Sequence, residues 1–227
     1  MDTILQQISI ITLPLLFAVT LHEAAHAWVA DKKGDPTARL LGRISLNPWV
    51  HVDLFGTLLI PLLLFVTTGS LFGYAKPVPI NALSLRRPKQ DMAWVAAAGP
   101  GMNLLLALIS GTIYRMLMMW SPHLYSAGGT ETIGASLLTP VLLMLRFSVQ
   151  INVVLMIFNM IPIPPLDGGR VLAGLLPERG ALIVRRIEPY GMVLIVGLIF
   201  LDPLGLMQRL IAPLTHFVAG LIFGVSG

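Results

Sequence analysis

The residues best suited to chemistry lie close together near the start of the chain. His22 and His26 are four positions apart in an apolar stretch, and Glu23 directly follows the first histidine. On a helix this spacing projects both imidazoles from one face, where they can bind a single Zn²⁺, and Glu23 lies within reach of a metal-bound water as its general base. The alternative is an ordinary group of helix-end residues at a membrane surface, which gives no reason for a carboxylate between two imidazoles at metal-binding spacing.

The composition excludes a soluble enzyme. The chain has 227 residues, of which 56% are hydrophobic and only 11% are charged, whereas a soluble domain carries about 25% charged residues. The net charge of +4 is therefore interpreted as a topology signal and not as a nucleic-acid-binding surface. Since the chain has no cysteine, the strong metal ligands available to it are histidine, aspartate and glutamate.

Hydropathy predicts an all-α polytopic membrane protein with about six hydrophobic segments. The apolar runs cover residues 4–30, 53–68, 93–120, 137–161, 182–201 and 204–225. Prolines and glycines interrupt the last two runs, which predicts shortened or kinked helices there. We expect one integral-membrane domain over residues 1–227, with a catalytic core at about 4–176 and C-terminal helices at about 182–225.

A catalytic zinc site needs a third protein ligand. Asp167 stands out among the remaining acids because three prolines end an apolar helix just before it and two glycines follow it. Irregular backbone of this kind at membrane depth is tolerated only inside protein or beside a watery cavity. Asp167 can also be read as the cap of a short helix at 169–176, and Glu178 and Glu188 are the other late acids that could bind a metal.

These segments resemble the paired signatures of the site-2 protease family of intramembrane zinc metalloproteases. The resemblance rests on the His-Glu-x-x-His motif at 22–26, on residues 159–169, and on a Gly-Pro-x-x-Asn element within 98–103. It covers residues 4–176, with no PDZ-like or CBS-like domain, so the chain is similar to a minimal member.

The resemblance implies a role for each motif residue. His22, His26 and Asp167 would bind one Zn²⁺ per chain. Glu23 would be the catalytic carboxylate, and Asn159 would handle the substrate carbonyl or its oxyanion. From the residues alone, Asn159 is equally consistent with an interhelical hydrogen bond.

The ligand set also constrains topology. His22, His26 and Asp167 can meet only if residues 53–91 return to the side where the first helix ends, either as a re-entrant loop or as a helix followed by an extended segment. With that return, only Arg115, Arg146 and Arg209 fall toward the other side, which leaves 12 of the 15 basic residues on the active-site side. The positive-inside rule then predicts a multi-pass protein of the cell membrane whose active site lies toward the cytoplasm.

The predicted activity is zinc-dependent hydrolysis of peptide bonds within transmembrane segments of membrane proteins. Such a substrate must be locally unwound, and a possible short β-hairpin at residues 40–47, near the active site, could pair with it. The expected partners are a transmembrane protein substrate and the lipid bilayer. The alternative is a polytopic metal-ion or solute transporter with intramembrane His and Asp ligands, which leaves Glu23 unexplained. His51, His123 and His216 receive no role.

Overall fold

The computed structural model describes residues 4–50, 76–120, 133–201, 205 and 207–224. The described helices are α1 (Ile4–Lys33), α2 (Thr37–Leu40), α3 (Pro88–Trp120), α4 (Ile133–Asn159), α5 (Asp167–Leu175), α6 (Glu178–Ile187), α7 (Gly191–Leu201) and α8 (Ala212–Phe223). Short 3₁₀ turns and one π-helical turn connect some of them. No strand occurs within these ranges, so the predicted all-α class is confirmed.

Three described helical stretches are long and apolar enough to cross a membrane. They are Ser9–Lys33, Pro88–Trp120 and Leu138–Asn159, which correspond to the first, third and fourth predicted runs. The second run, 53–68, lies outside the described residues. The fifth run is broken between α6 and α7, where Pro189 and Gly191 interrupt it as predicted, and the last contains the 16-residue apolar helix Gln208–Phe223, too short to be counted as a span. Six separate segments are therefore not confirmed.

Helices α1, α3 and α4 pack together through small side chains. Ala30 on α1 is fully buried and packs with Val95 of α3, and Ala107 on α3 is fully buried and packs with Val149 and Val153 of α4. Helix association within a bilayer depends on such close approach, because lipid tails are as apolar as the side chains and offer no hydrophobic gain. These helices therefore form the scaffold that holds the chemically active residues.

Helix α3 begins beside the end of α1. The amide of Arg86 donates to the carbonyl of Lys33 at 3.1 Å, and the Lys33 ammonium lies 3.2 Å from the carboxylate of Asp91. The connector between the two helices therefore returns to the side from which it left. This is the return that the predicted ligand set requires, although the path of residues 53–75 lies outside the described part of the chain.

Residues 76–81, called the strap below, run without helical structure along α1. Val78 is buried against Ala27 and Ala38, and the amide of Asn81 donates to Asp35 at 2.6 Å. Asp35 is itself fully buried and also accepts a hydrogen bond from the amide of Thr37 at 3.0 Å. A charged group is buried at tolerable cost only when donors surround it in this way, and the result fixes the strap against α1.

The predicted hairpin at residues 40–47 is not confirmed. These residues form turns and bends without strand structure. Helix α2 takes up the first of them, and the chain reverses at Gly42, whose φ of +66° lies in the left-handed region that favours glycine. The segment in which apolar and polar residues alternate is thus the end of a helix followed by a tight turn.

Candidate metal centre

His22 and His26 face the same side of α1, as their spacing predicts. Both side chains are buried, and their Nε2 atoms are 3.0 Å apart. The two rings meet edge to face, with centroids 4.6 Å apart. A continuous helix is sufficient to set this geometry, because residues four apart are neighbours on its surface.

Asp167 completes the group. Its Oδ2 atom lies 3.2 Å from Nε2 of His22 and 3.4 Å from Nε2 of His26. The three side chains are buried and form one group able to hold a metal ion.

The chain reaches this position through a tightly packed turn. Asp167 is the first residue of α5, and the capping position belongs to Leu166, so the alternative of Asp167 as the cap of a helix at 169–176 is wrong. A Cβ on Gly168 would lie 2.5 Å from the carbonyl oxygen of Ile161, and one on Gly169 would lie 2.8 Å from the carbonyl carbon of Ile163. The two glycines are thus needed for close approach to the preceding turn, which delivers Asp167 to the histidines.

The hydrogen bonds of the two imidazoles fix their tautomers. Nδ1 of His26 lies 2.6 Å from the carbonyl oxygen of Val95, which can only accept, so this Nδ1 carries the proton. Nδ1 of His22 lies 2.6 Å from Oδ1 of Asn103. The amide group of Asn103 is oriented by the carbonyl of Ala18, which faces its NH₂ at 3.3 Å, so Nδ1 of His22 also donates.

Three atoms with free electron pairs therefore point at one another. In the neutral imidazoles both Nε2 atoms therefore carry a lone pair, and Oδ2 of Asp167 is buried with no hydrogen-bond donor among the described groups. Such an arrangement is repulsive unless a cation lies between the atoms. Tetrahedral Zn²⁺ with bonds of about 2.0–2.1 Å places its ligand atoms about 3.3 Å apart, close to the three separations observed here. The residues fit a zinc ion.

Gly99 of α3 forms one wall of the group. A Cβ on this residue would meet Nε2 of His26 and would lie 2.5 Å from Cε1 and 2.6 Å from Nε2 of His22. Contacts below 3.0 Å are essentially absent for real Cβ atoms. The absence of a side chain at position 99 is therefore what leaves room for an ion beside the histidines.

Glu23 lies at the edge of this group and is half-buried. Its Oε2 accepts a hydrogen bond from the amide of Val78 in the strap at 3.0 Å. The sequence predicted non-helical backbone near the site in this region, but it did not predict this contact. The strap therefore holds the carboxylate that follows the first histidine.

The other candidate residues are placed elsewhere. The Asn159 side chain donates to the carbonyl of Leu155 within its own helix at 3.0 Å, so its role toward a substrate stays a prediction. Glu178 and Glu188 form ion pairs with Lys89 at 3.5 Å and with Arg170 at 3.3 Å, which accounts for both without a metal. His216 bonds to its own helix, and His51 and His123 lie outside the described residues.

The sequence did not predict the contacts of three residues near the histidines: Gly99, Asn103 and Asn152. Gly99 and Asn103 belong to the Gly-Pro-x-x-Asn element, and this motif is the sequence feature that could have pointed to them. Their spacing places them on the same face of α3, one turn apart. Asn152 carried no signal beyond being a polar residue in an apolar run.

Comparison with known proteins decides the family. The model of Peptidase family M50 matches residues 10–201. The chain belongs to this family. The M50 relatives include YwhC of Bacillus subtilis (strain 168), named as a zinc metalloprotease, which is 37% identical over 195 residues, or 86% of this chain and 81% of YwhC. Rip2 of Mycolicibacterium smegmatis (strain ATCC 700084 / mc(2)155), also named as a zinc metalloprotease, is 26% identical over 186 residues, or 81% of this chain and 64% of Rip2.

Membership of M50, together with the apolar helices, makes this protein an intramembrane zinc metalloprotease. The predicted enzyme class and zinc dependence are confirmed, and the transporter alternative is not supported. No solved structure matches the chain.

Proposed function

We propose that His22, His26 and Asp167 hold the zinc ion, one per chain, and that Glu23 is the catalytic carboxylate. The observation that carries this proposal is the convergence of two imidazole Nε2 atoms and one carboxylate oxygen within 4.8 Å of one another. Three protein ligands with a fourth position left for water are what a catalytic zinc site requires.

The chain's own residues divide the chemistry between them. A bound zinc ion supplies an acidified water and a Lewis acid for the scissile carbonyl. Glu23, next to His22 on α1, accepts a proton from the attacking water and returns it to the leaving amine. The amide of Val78 binds one oxygen of the Glu23 carboxylate and leaves the other available. Asn159 would leave its intrahelical bond and donate to the substrate carbonyl.

The depth of the site supports the proposed substrate class. His26 lies seven residues before the end of α1, which places it about 10 Å inside that helix end. A substrate bond must therefore enter the helix bundle to be cut, and this suits a transmembrane segment of another membrane protein. We expect this catalytic unit to be residues 4–176, within one integral domain over 1–227.

The proposed orientation is supported by the distribution of charge. Helix α1 ends in Lys32 and Lys33, and α3 begins beside them after Arg86 and Arg87. Basic residues at the membrane edge favour the cytoplasmic side. We infer that the metal centre lies toward the cytoplasm in a multi-pass protein of the cell membrane.

The orientation has a direct test in the residues that join α3 to α4. An epitope tag inserted after Gly128 should be cleaved by protease added from the outside of spheroplasts and protected in inverted vesicles. A tag in the strand-free connector at Leu46 should behave in the opposite way and serves as the control. Cleavage of the Gly128 tag only from the cytoplasmic side would contradict the orientation.

The proposed function is tested with the purified protein in proteoliposomes that also hold a model transmembrane segment tagged at both ends. Wild-type protein should cut within the apolar segment, and Glu23→Gln should not. Equal cleavage by both proteins, or no cleavage of any transmembrane segment by the zinc-loaded wild type across a panel, would contradict it.

A further inference from the structure

A chain of buried amides connects α4 to the first histidine. The NH₂ group of Asn152 on α4 donates to the carbonyl of Ser148 at 2.8 Å, and its Oδ1 accepts from the NH₂ group of Asn103 at 2.8 Å. Oδ1 of Asn103 in turn accepts from Nδ1 of His22 at 2.6 Å. Asn103 is fully buried and Asn152 is 1% exposed, so neither amide exchanges these partners for water.

Each amide in this chain has a fixed orientation. The carbonyl of Ser148 can only accept, so the NH₂ group of Asn152 must face it and its Oδ1 must face Asn103. That oxygen then holds the NH₂ group of Asn103, together with the carbonyl of Ala18 on α1. The oxygen of Asn103 is thereby left for His22, whose Nδ1 carries the proton and whose Nε2 is free.

An interhelical hydrogen bond between two asparagines would by itself be a common way to hold membrane helices together. Here the bond from Asn103 to Asn152 has a second consequence, because it orients Asn103, and Asn103 contacts His22 of the metal group. Helix α4 is also the helix whose end leads to Asp167. The same helix therefore sets both the position of Asp167 and the tautomer of His22.

We propose that Asn152 is a positioning residue for zinc binding, which acts on His22 through Asn103. This inference rests on the proposed ligand set. Groups that hold a histidine ligand through its other ring nitrogen typically contribute about 10–100-fold to metal affinity. Asn152 never touches the ion or the substrate, so its effect should be visible in the affinity for zinc in the absence of any substrate.

The test is a double-mutant cycle on the zinc dissociation constant. Zinc affinity is measured by competition with a chromophoric chelator, in detergent, for wild type, Asn152→Leu, Asn103→Leu and the double variant. We expect each single variant to bind zinc about 10-fold more weakly or worse, and the double variant to bind no more weakly than Asn103→Leu alone. Losses that multiply in the double variant, or a normal affinity in Asn152→Leu, would overturn the proposal.

Ser110→Ala is the matched control. The Ser110 hydroxyl hydrogen-bonds that of Ser148 at 2.8 Å, so this variant also removes a buried polar contact between α3 and α4, and it leaves in place the bond from Asn152 to the Ser148 carbonyl. Its zinc affinity should match that of the wild type. A loss of affinity equal to that of Asn152→Leu would contradict the proposal, because any broken polar contact between α3 and α4 would then have the same effect.

A second measurement tests the proposal if the leucine variant does not fold. Asn152→Ala and wild type are loaded with Co²⁺, and the visible absorption bands report the ligand geometry directly. The bands should shift in Asn152→Ala and stay unchanged in Ser110→Ala; unshifted bands in Asn152→Ala would overturn the proposal. Wild type that binds no stoichiometric metal would instead refute the ligand set, so the two failures are distinguishable.

Discussion

Replacing Glu23 by glutamine is expected to reduce the cleavage rate by about 10²–10⁴-fold, the range that general acid–base groups contribute. Glutamine keeps the size of the side chain and an oxygen that can still accept the hydrogen bond from the Val78 amide. It cannot take a proton from water at neutral pH. The measurement is the initial rate of cleavage of a model transmembrane segment in proteoliposomes, with zinc content determined on the same preparation.

The zinc content separates the role of Glu23 from that of a ligand. We expect Glu23→Gln to retain zinc at the wild-type level, because its carboxylate is not one of the three converging groups. Asp31→Asn is the control acid on the same helix, where the carboxylate pairs with Arg39 at 2.8 Å, and it should cleave within about twofold of the wild type. Wild-type activity in Glu23→Gln, or loss of its zinc, would contradict the assigned role.

Adding one methyl group at Gly99 is expected to abolish zinc binding. The new Cβ of Gly99→Ala would lie 2.6 Å from Nε2 of His22 and would also meet Nε2 of His26. It would therefore occupy the space that an ion needs, or push the two histidines apart. Zinc content by elemental analysis should fall from one per chain to near zero, and cleavage should be lost with it.

Gly101→Ala provides the matched comparison. This glycine lies two residues further along α3, and a Cβ there would meet no atom within 4 Å. Both substitutions raise helix propensity by about 1 kcal/mol, so backbone effects act alike in the two variants. Gly101→Ala should keep its zinc and its activity; equal loss in both variants, or full zinc in Gly99→Ala, would show that position 99 does not border the metal.

The sequence predicted best what a single helix can encode. The positions of His22, Glu23 and His26 follow from the pitch of α1 alone, and the structure places both imidazoles on one face as expected. The position of Asp167 beside the histidines was predictable because the prolines before it and the glycines after it are not typical of an ordinary loop. The return of the chain to the end of α1 was also predictable, since ligands on one ion must share a depth in the membrane.

Contacts between distant segments were not predictable in the same way. The bond from Val78 to Glu23 joins residues on separate segments, and it depends on how Asp35 fixes the strap. The amides of Asn103 and Asn152 meet only after α1, α3 and α4 have packed. The alternation of apolar and polar residues over 40–47 suggested a hairpin, but it does not distinguish a strand from the end of a helix followed by a turn at a left-handed glycine, which is the structure found there.

The most direct test of the account is the zinc content of three purified proteins: wild type, His22→Ala and Asp167→Asn. Each variant removes one ligand atom from the group, from α1 in one case and from α5 in the other. A catalytic zinc site reduced to two protein ligands should not hold its ion through purification. We predict one zinc per chain in the wild type and little in either variant, whereas stoichiometric zinc in both variants would contradict the ligand set.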